Sequence, residues 1–434
     1  MEWGPDIALE PFFGSLREEI GIGGRHSTQG GGDDLEFLGK KTSELRGKVC
    51  VLSLDGGGTP GIIPARLLAY LEELLKQKSG DQDARIADYF DVVTGTSVGG
   101  LIATMLFTGD ENSRPLFRAE EAWKVMAERG REVFKKVAKS SVWSKLRGKS
   151  SKSSRFSVKP LEQVLKEYLV REDGSALTLR DTIKPVLIPC YDLTTAAPFL
   201  FSRADALENQ TWNFNLWEIC RATTATPPFL PPACVTSVDG KTSCTAIDGR
   251  VVMHNPTAAA ITHVLHNKRE FPSVRGVEDL LVLSLGTGQI DQTYMYDTVR
   301  GWGALQWVKP LAKIVLDGVA DTVDHTISMA FGEHRKHYLR IQMAGLPNKT
   351  ETDMNDVNQL LKLSEDLLDQ KSMEFLPFGG RMPLSVSNRE RLDWFADQLV
   401  KERRARSPAA TETAFQNFIE KLKSSCPEIS PVIE

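Results

Sequence analysis

Apolar residues along this chain fall into two alternating registers. Short, largely apolar runs at 49–54, 90–94, 185–190 and 280–285 read as strands. Between them the apolar positions open out to a helical period, most clearly at Ile62, Ile63, Leu67, Leu68, Leu71, Leu74 and Leu75. Strand and helix patterns alternating from 47 to about 288 predict an α/β fold, a mostly parallel sheet with helices on both faces. After Asp291 the pattern turns mostly helical, and amphipathic segments at 357–368 and 388–399 are expected to complete the same globule. Residues 21–34 are dense in Gly, Ser, Thr and Asp, so 1–45 reads as a weakly structured lead-in whose Phe12, Phe13 and Ile20 can pack on the main body. The expected organisation is therefore 1–45, a main domain over 46–290 and a helical extension over 291–434, without an internal repeat.

Composition sets limits on this picture. At 434 residues, with 41% hydrophobic and 25% charged positions, the chain has the balance of an ordinary globular protein. No run reaches the roughly 18 apolar residues of a transmembrane helix, and the first residues lack the basic region and apolar core of a secretory signal. The six cysteines (Cys50, Cys190, Cys220, Cys234, Cys244, Cys426) show no Cys-x-x-Cys spacing. They read as reduced thiols, with neither a zinc site nor a disulfide framework, and a cytoplasmic location is expected.

The net charge of −4 hides one local excess. Between 129 and 159 eleven Lys and Arg residues stand against the single acid Glu132, interleaved with Phe134, Val137, Val142, Trp143, Leu146 and Phe156. Cations mixed with aromatic residues suit an anionic bilayer surface. Lys135, Lys136, Lys139, Trp143 and Lys145 are the candidate membrane contacts, and peripheral membrane association is expected. A solvated serine-rich loop is the plainer reading of the same stretch. A nucleic-acid patch has no supporting motif elsewhere, so no nucleic-acid partner is expected.

Three glycine-marked turns carry the candidate chemistry. Gly95-Thr96-Ser97-Val98-Gly99 lies between the run ending at Thr94 and a helical pattern beginning at Leu101. A Gly-x-Ser-x-Gly between strand and helix is the setting of a nucleophile elbow, where a sharp turn presents the serine at a helix N-terminus. Upstream, Asp55-Gly56-Gly57-Gly58-Thr59-Pro60-Gly61 joins another strand to another helix. Consecutive glycines there can aim several N–H groups at one point, which makes the loop an anion site for a phosphate or an oxyanion. Gly56, Gly58 and Gly61 also satisfy Gly-x-Gly-x-x-Gly, but a dinucleotide site needs an acidic residue at the end of a second strand roughly 20 positions on. Glu72 and Glu73 fall inside the helix pattern instead, and the next strand delivers a serine. Third, a short apolar segment ends on Asp248 and Gly249 follows, so a carboxylate projects from a strand end. Beside a serine it can take the hydroxyl proton. Asp239-Gly240 lacks such a strand and reads as a plain turn.

In this order and spacing the three motifs resemble the patatin-like acyl hydrolases from about Cys50 to Gly288, with Asn255-Pro256 and Leu283-Ser-Leu-Gly-Thr-Gly288 adding to the likeness. The resemblance implies a three-layer α/β/α fold, a Ser97–Asp248 dyad and an oxyanion hole from Gly56, Gly57 and Gly58. Asp55, Gly61, Gly95, Gly99 and Gly249 would support the motifs. It implies no metal or organic cofactor, and membrane glycerolipids as substrates, phospholipids and galactolipids among them. Two positions depart from the family pattern: Pro60 stands where most members carry Arg or Lys, and Arg250 where Gly or Ala is usual. This resembles the plant subgroup with a degenerate loop, as do Trp302-Gly-Ala-Leu-Gln-Trp307 and Tyr338-Leu-Arg-Ile-Gln342, but Ser97 is retained. The departures leave a second expectation, a low-activity or non-catalytic lipid-binding protein that keeps the fold. A Ser-His-Asp triad is the rival mechanism, with His254, His263, His266, His325, His334 and His337 as candidates. His263 and His266 sit in an Ala/Ile/Leu-rich helical pattern and His325 beside acidic residues, which suits helix-face and capping roles. The direct dyad is the expectation.

Overall fold

Strand β1 (Val49–Leu54) lies in the middle of an eight-stranded sheet. Its residues alternate between two apolar clusters, Cys50, Leu52 and Leu54 facing one and Val51 the other. That two-sided burial is why the run is apolar at every position but Ser53. The structure, a computed structural model, describes residues 47–133, 157–288, 293–343, 356–376 and 380–406.

β1 pairs in parallel with β2 (Val92–Gly95) on one side and, on the other, with a strand that enters late in the chain. Beyond β2 lies β3 (Val186–Asp192), also parallel, which carries the antiparallel β4 (Ala197–Ser202). The strands β5 (Ala233–Thr236) and β6 (Ser243–Asp248) close that end antiparallel, while β7 (Leu280–Leu285) and β8 (Tyr338–Ile341) extend the parallel half past β1.

Helices cover both faces. On the Leu52 face pack α1 (Ile62–Ser79), α2 (Val98–Phe107), α3 (Ala119–Val133) and α4 (Lys159–Tyr168). The short α5 (Arg203–Glu208) follows β4, and α6 (Leu216–Thr223) returns to the Leu52 face. After β6 come the single turn α7 (Arg250–Met253) and then α8 (Thr257–His266), which covers the Val51 face. The short α9 (Tyr296–Val299) precedes the long α10 (Ala304–Phe331), whose Ile327 and Phe331 join α8 on that face. Last come α11 (Val357–Asp369) and α12 (Asn388–Ala405), packed on α1.

The branching at β3 positions the site. β4 occupies one edge of β3, and the other edge is shared: β2 pairs with Val186 and Leu187, β6 with Cys190, Tyr191 and Asp192. Asp248, the last residue of β6, pairs with Cys190 and so stands just past the C-terminal end of β2. Crevices at the C-terminal ends of parallel strands are where α/β folds bind ligands.

The pattern after residue 291 reads as helical and does not reveal three strands found there. β8 joins the main sheet, while β9 (Lys371–Leu376) and β10 (Gly380–Ser387) form a separate antiparallel pair. β8 is only four residues long and carries Arg340 at a buried position, which argues against a buried strand unless the charge is paired. The lead-in 1–45 and the candidate membrane contacts Lys135, Lys136, Lys139, Trp143 and Lys145 lie outside the described residues. Among the described residues no helix is long and apolar enough to cross a membrane.

Candidate active site

Ser97 bridges β2 and α2 with φ 55° and ψ −124°. A non-glycine residue in that region costs on the order of 1–3 kcal/mol and persists only where its neighbours hold it. Here the Thr96 N–H donates to the Leu54 carbonyl (3.1 Å), the Ser97 N–H to Thr223 Oγ1 (2.9 Å) and the Gly99 N–H to the Thr96 carbonyl (2.8 Å). Thr223 is itself fixed by donating to the Pro189 carbonyl at 2.7 Å. Close packing dictates the flanking glycines: a Cβ on Gly95 would lie 2.2 Å from the Gly99 carbonyl oxygen, and one on Gly99 2.5 Å from that of Leu54.

The Ser97 hydroxyl donates to Asp248 Oδ2 at 3.0 Å. The serine is 2% exposed and the aspartate fully buried. Asp248 is crowded with donors. Thr226 Oγ1 also donates to Oδ2, Arg250 Nε reaches the same oxygen at 3.1 Å, and the Arg250 N–H donates to Oδ1 at 2.9 Å. The arginine continues to Thr226 Oγ1 through Nη2 at 3.2 Å, and its stem lies across the glycine loop, since a Cβ on Gly56 would sit 2.4 Å from Arg250 Cγ. The unusual residue at 250 thus brings a guanidinium onto the dyad, while Pro60 is held in the short turn Thr59–Gly61 that leads into α1. Gly249 makes the bend between Asp248 and α7, tight against the Pro189 carbonyl.

The glycine loop corrects one expectation. The Gly56 N–H donates to the His254 carbonyl at 3.1 Å and is not free for an oxyanion. α7 swings that carbonyl onto the loop, a contact between residues nearly 200 positions apart that no local pattern signals. The N–H groups of Gly57 and Gly58 have no acceptor among the described residues, and Gly58 adopts φ 60°. Gly61 closes the turn by donating to the Gly58 carbonyl at 2.9 Å, and Thr287 Oγ1 steadies the loop through the Gly56 carbonyl at 2.8 Å. The first residue beyond β1, Asp55, anchors the loop from below.

Arg340 holds Asp55 bidentately, Nη1 to Oδ1 at 3.0 Å and Nη2 to Oδ2 at 2.7 Å, and its Nε lies 2.9 Å from Asp324 Oδ1. All three side chains are essentially inaccessible to solvent. One cation therefore serves two carboxylates. Burial pushes Asp324 up to about 6, against the pull of Arg340, and raises Asp55 as well; the two carboxylates outweigh the burial penalty on Arg340 and keep it charged. Asn255 Nδ2 donates to Asp324 Oδ1 at 2.7 Å, which ties the Asn255-Pro256 pair to the same cluster.

No histidine is hydrogen-bonded to Ser97 or Asp248 among the described residues. His254 offers only its carbonyl to the loop, and its ring is pushed down to about 4 by burial and by Arg250 and Arg340. His263 faces Glu270 at 3.9 Å, His325 Nδ1 meets the Asp321 carbonyl at 2.8 Å, and His334 stacks on His337. His266 ends α8.

The family profile described as "Patatin-like phospholipase" matches residues 52–261, a span that includes the glycine loop, the serine elbow and Asp248. The chain is similar to "Patatin-like protein 6" of Arabidopsis thaliana, 52% identical over 371 residues, covering 83% of this chain and 73% of that protein. It is similar to "Patatin-like protein 7" of the same plant, 48% identical over 384 residues, covering 86% and 77%. A further relative, "Probable inactive patatin-like protein 9", is 44% identical over 361 residues, covering 83% and 88%. The chain belongs to the patatin-like phospholipase family, in its plant subgroup.

Proposed function

We propose that this chain hydrolyses acyl esters of membrane glycerolipids, with Ser97 as nucleophile and Asp248 as its base. The observation that carries the reading is the 3.0 Å hydrogen bond from Ser97 Oγ to Asp248 Oδ2 beside two N–H groups, of Gly57 and Gly58, that have no other acceptor among the described residues. Ser97 attacks the ester carbonyl while its proton passes to Asp248. The carbonyl oxygen becomes an oxyanion within reach of the two N–H donors and the N-terminus of α2. Asp248 returns the proton to the departing alkoxide, leaving an acyl-serine that water hydrolyses by the same steps in reverse order.

On this reading the catalytic unit includes β8 as well as 46–290, because Arg340 neutralises the residue that heads the oxyanion loop. Phospholipids and galactolipids are the substrate classes the family suggests, and the basic segment 129–159 is a membrane contact on sequence grounds. The second reading, a lipid-binding protein with little turnover, draws support from the guanidinium of Arg250 on the base and from the relative called probably inactive.

Fatty-acid release from phosphatidylcholine vesicles separates the two. Ser97→Ala and Asp248→Asn should each abolish it with the fold intact, and the double mutant should be hardly worse, since groups acting as a unit are not additive. Wild-type turnover in either single mutant removes the dyad; no turnover by the parent protein favours the second reading.

A further inference from the structure

A cavity of about 470 Å³ lies between the hairpin of β9 and β10, the turn Gly332–His337, β8 and α12. Small-molecule sites run to roughly 300–1,000 Å³. Residues two apart on a strand share a face, so Met373 and Phe375 of β9 and Leu384 and Val386 of β10 turn one apolar side of the hairpin to the cavity, and Trp394 of α12 adds an aromatic wall. In the sheet β8 stands three strands from β2, roughly 14 Å away. Neither member of the dyad and no residue of the glycine loop is among the described residues that line the cavity. It is separate from the crevice that holds Ser97.

The charged groups around it divide into committed and uncommitted ones. Arg340 lines the cavity but is taken by Asp55 and Asp324. Glu374 is held by Arg335 at 2.9 Å, and Glu390 accepts from the Ser387 N–H at 2.7 Å and from the Ser387 hydroxyl at 3.0 Å, as part of the cap of α12. Both acids are therefore engaged. Arg391 and Lys336 also line the cavity, and neither side chain makes a hydrogen bond or ion pair among the described residues. Arg391 is half-buried; burial works against its charge, with Glu374 the acid that opposes this. The indole N–H of Trp394 likewise has no acceptor among the described residues. Two unused cations and an unused N–H donor on an apolar chamber suit an anion that carries a hydrocarbon chain. A zwitterionic head would set its ammonium against Arg391 and Lys336. The planar fork of a guanidinium matches a carboxylate, and the carboxylate with one chain that ester hydrolysis releases is a fatty acid.

We propose that this cavity binds a free fatty acid, with its carboxylate on Arg391 and its chain against Phe375, Leu384 and Trp394. Choosing the fatty acid among single-chain anions rests on the acyl-hydrolase reading; the existence of the site does not. Isothermal titration calorimetry with decanoate near neutral pH is run on the full-length Ser97→Ala protein, alone and with Arg391→Gln or Val386→Trp. Arg391 has no acid paired to it, so glutamine strands no carboxylate, and Val386 is 36% exposed in a strand that accepts an aromatic residue. Arg391→Gln should weaken decanoate binding about tenfold or more, the loss expected for one hydrogen bond to a charged group. Val386→Trp should weaken it at least as much by filling the chamber, with circular dichroism unchanged in both variants. Decanol, the same chain without the charge, should bind at least about tenfold more weakly than decanoate and be indifferent to Arg391→Gln. A parent protein that does not bind decanoate overturns the proposal, as does equal binding by all three proteins, which would place the ligand elsewhere. Decanol bound as tightly as decanoate overturns the charge match. Decanoyl lysophosphatidylglycerol bound more tightly than decanoate, and lost in Arg391→Gln, would assign the cavity to a lysolipid and overturn the choice of fatty acid. Absence of fatty-acid release from vesicles by the protein with Ser97, while decanoate binding and its loss in Arg391→Gln persist, would instead count against the hydrolase reading and leave the site standing.

Discussion

Replacing Arg340 by methionine tests whether the ion cluster beneath the glycine loop holds the site together. The side chain is 2% exposed between two carboxylates that are fully buried, with contacts of 2.7 and 3.0 Å to Asp55, 2.9 Å to Asp324 and 3.0 Å to Ser284 Oγ. Methionine fills similar volume but leaves both carboxylates without a counter-ion. Removing one partner of a buried ion pair costs about 3–5 kcal/mol, a large share of the roughly 5–15 kcal/mol that stabilises a typical domain. Urea unfolding of Arg340→Met near neutral pH should show a loss of that size, and acyl release should fall with it because Asp55 heads the loop carrying Gly57 and Gly58. Acid supplies a second check with a defined sign. Asp324 is pushed up from 3.8 to about 6, so its protonation favours the folded state; that contribution is complete below the unfolded value and is lost as pH rises through about 6. Without Arg340 nothing offsets the ionised carboxylates, so the gap between variant and wild type should be widest above about pH 7 and narrow toward about pH 5. A variant within about 1 kcal/mol of wild type at neutral pH, or a gap that widens on acidification, would refute the reasoning.

Three further substitutions probe the dyad and its donors. A Cβ on Gly57 would meet Thr287 Oγ1 at 2.3 Å, so Gly57→Ala should displace the oxyanion donors and lower kcat by roughly 10²–10³ with little change in circular dichroism; unchanged turnover would remove Gly57 from the hole. Arg250→Ala should raise kcat by up to about tenfold, because the Ser97 proton must land on an oxygen that already accepts from Arg250 Nε; a fall of that size would make the guanidinium a stabiliser of the developing charge. Alanine at His254, His263 or His266 should keep activity within about tenfold, and no inflection in kcat/KM between about pH 5 and 8 should be traceable to His254, which is already neutral above about 4; a well-folded mutant down by about 10² would install a histidine as base.

The motifs were legible because each depends on local geometry. A strand, a glycine-flanked serine and a helix specify the elbow at 95–99 without help from elsewhere, and Asp248 announces itself as the polar end of an apolar strand. What completes the site comes from distant residues. Thr223 and Thr226 are ordinary threonines until α6 and the following loop bring them to Ser97 and Asp248. Arg340 lies 285 positions from Asp55, and the only sign of the partnership is a charge between Leu339 and Ile341, where a buried strand tolerates one only if it is paired. Gly56 looked equivalent to Gly57 and Gly58 because a glycine run does not show which N–H its neighbours take. The tilt toward helix after 291 was right for α10 to α12, but it obscured β8, too short for periodicity to register.

The central claim, an activated Ser97, is tested most directly by a fluorophosphonate probe, which labels a serine only when its hydroxyl is activated. Mass spectrometry of the labelled wild-type protein should place the adduct on Ser97, with Ser97→Ala unlabelled and Asp248→Asn slowed by about 10² or more. A folded wild-type protein that stays unlabelled, or an Asp248→Asn variant that labels as fast as wild type, would contradict the dyad.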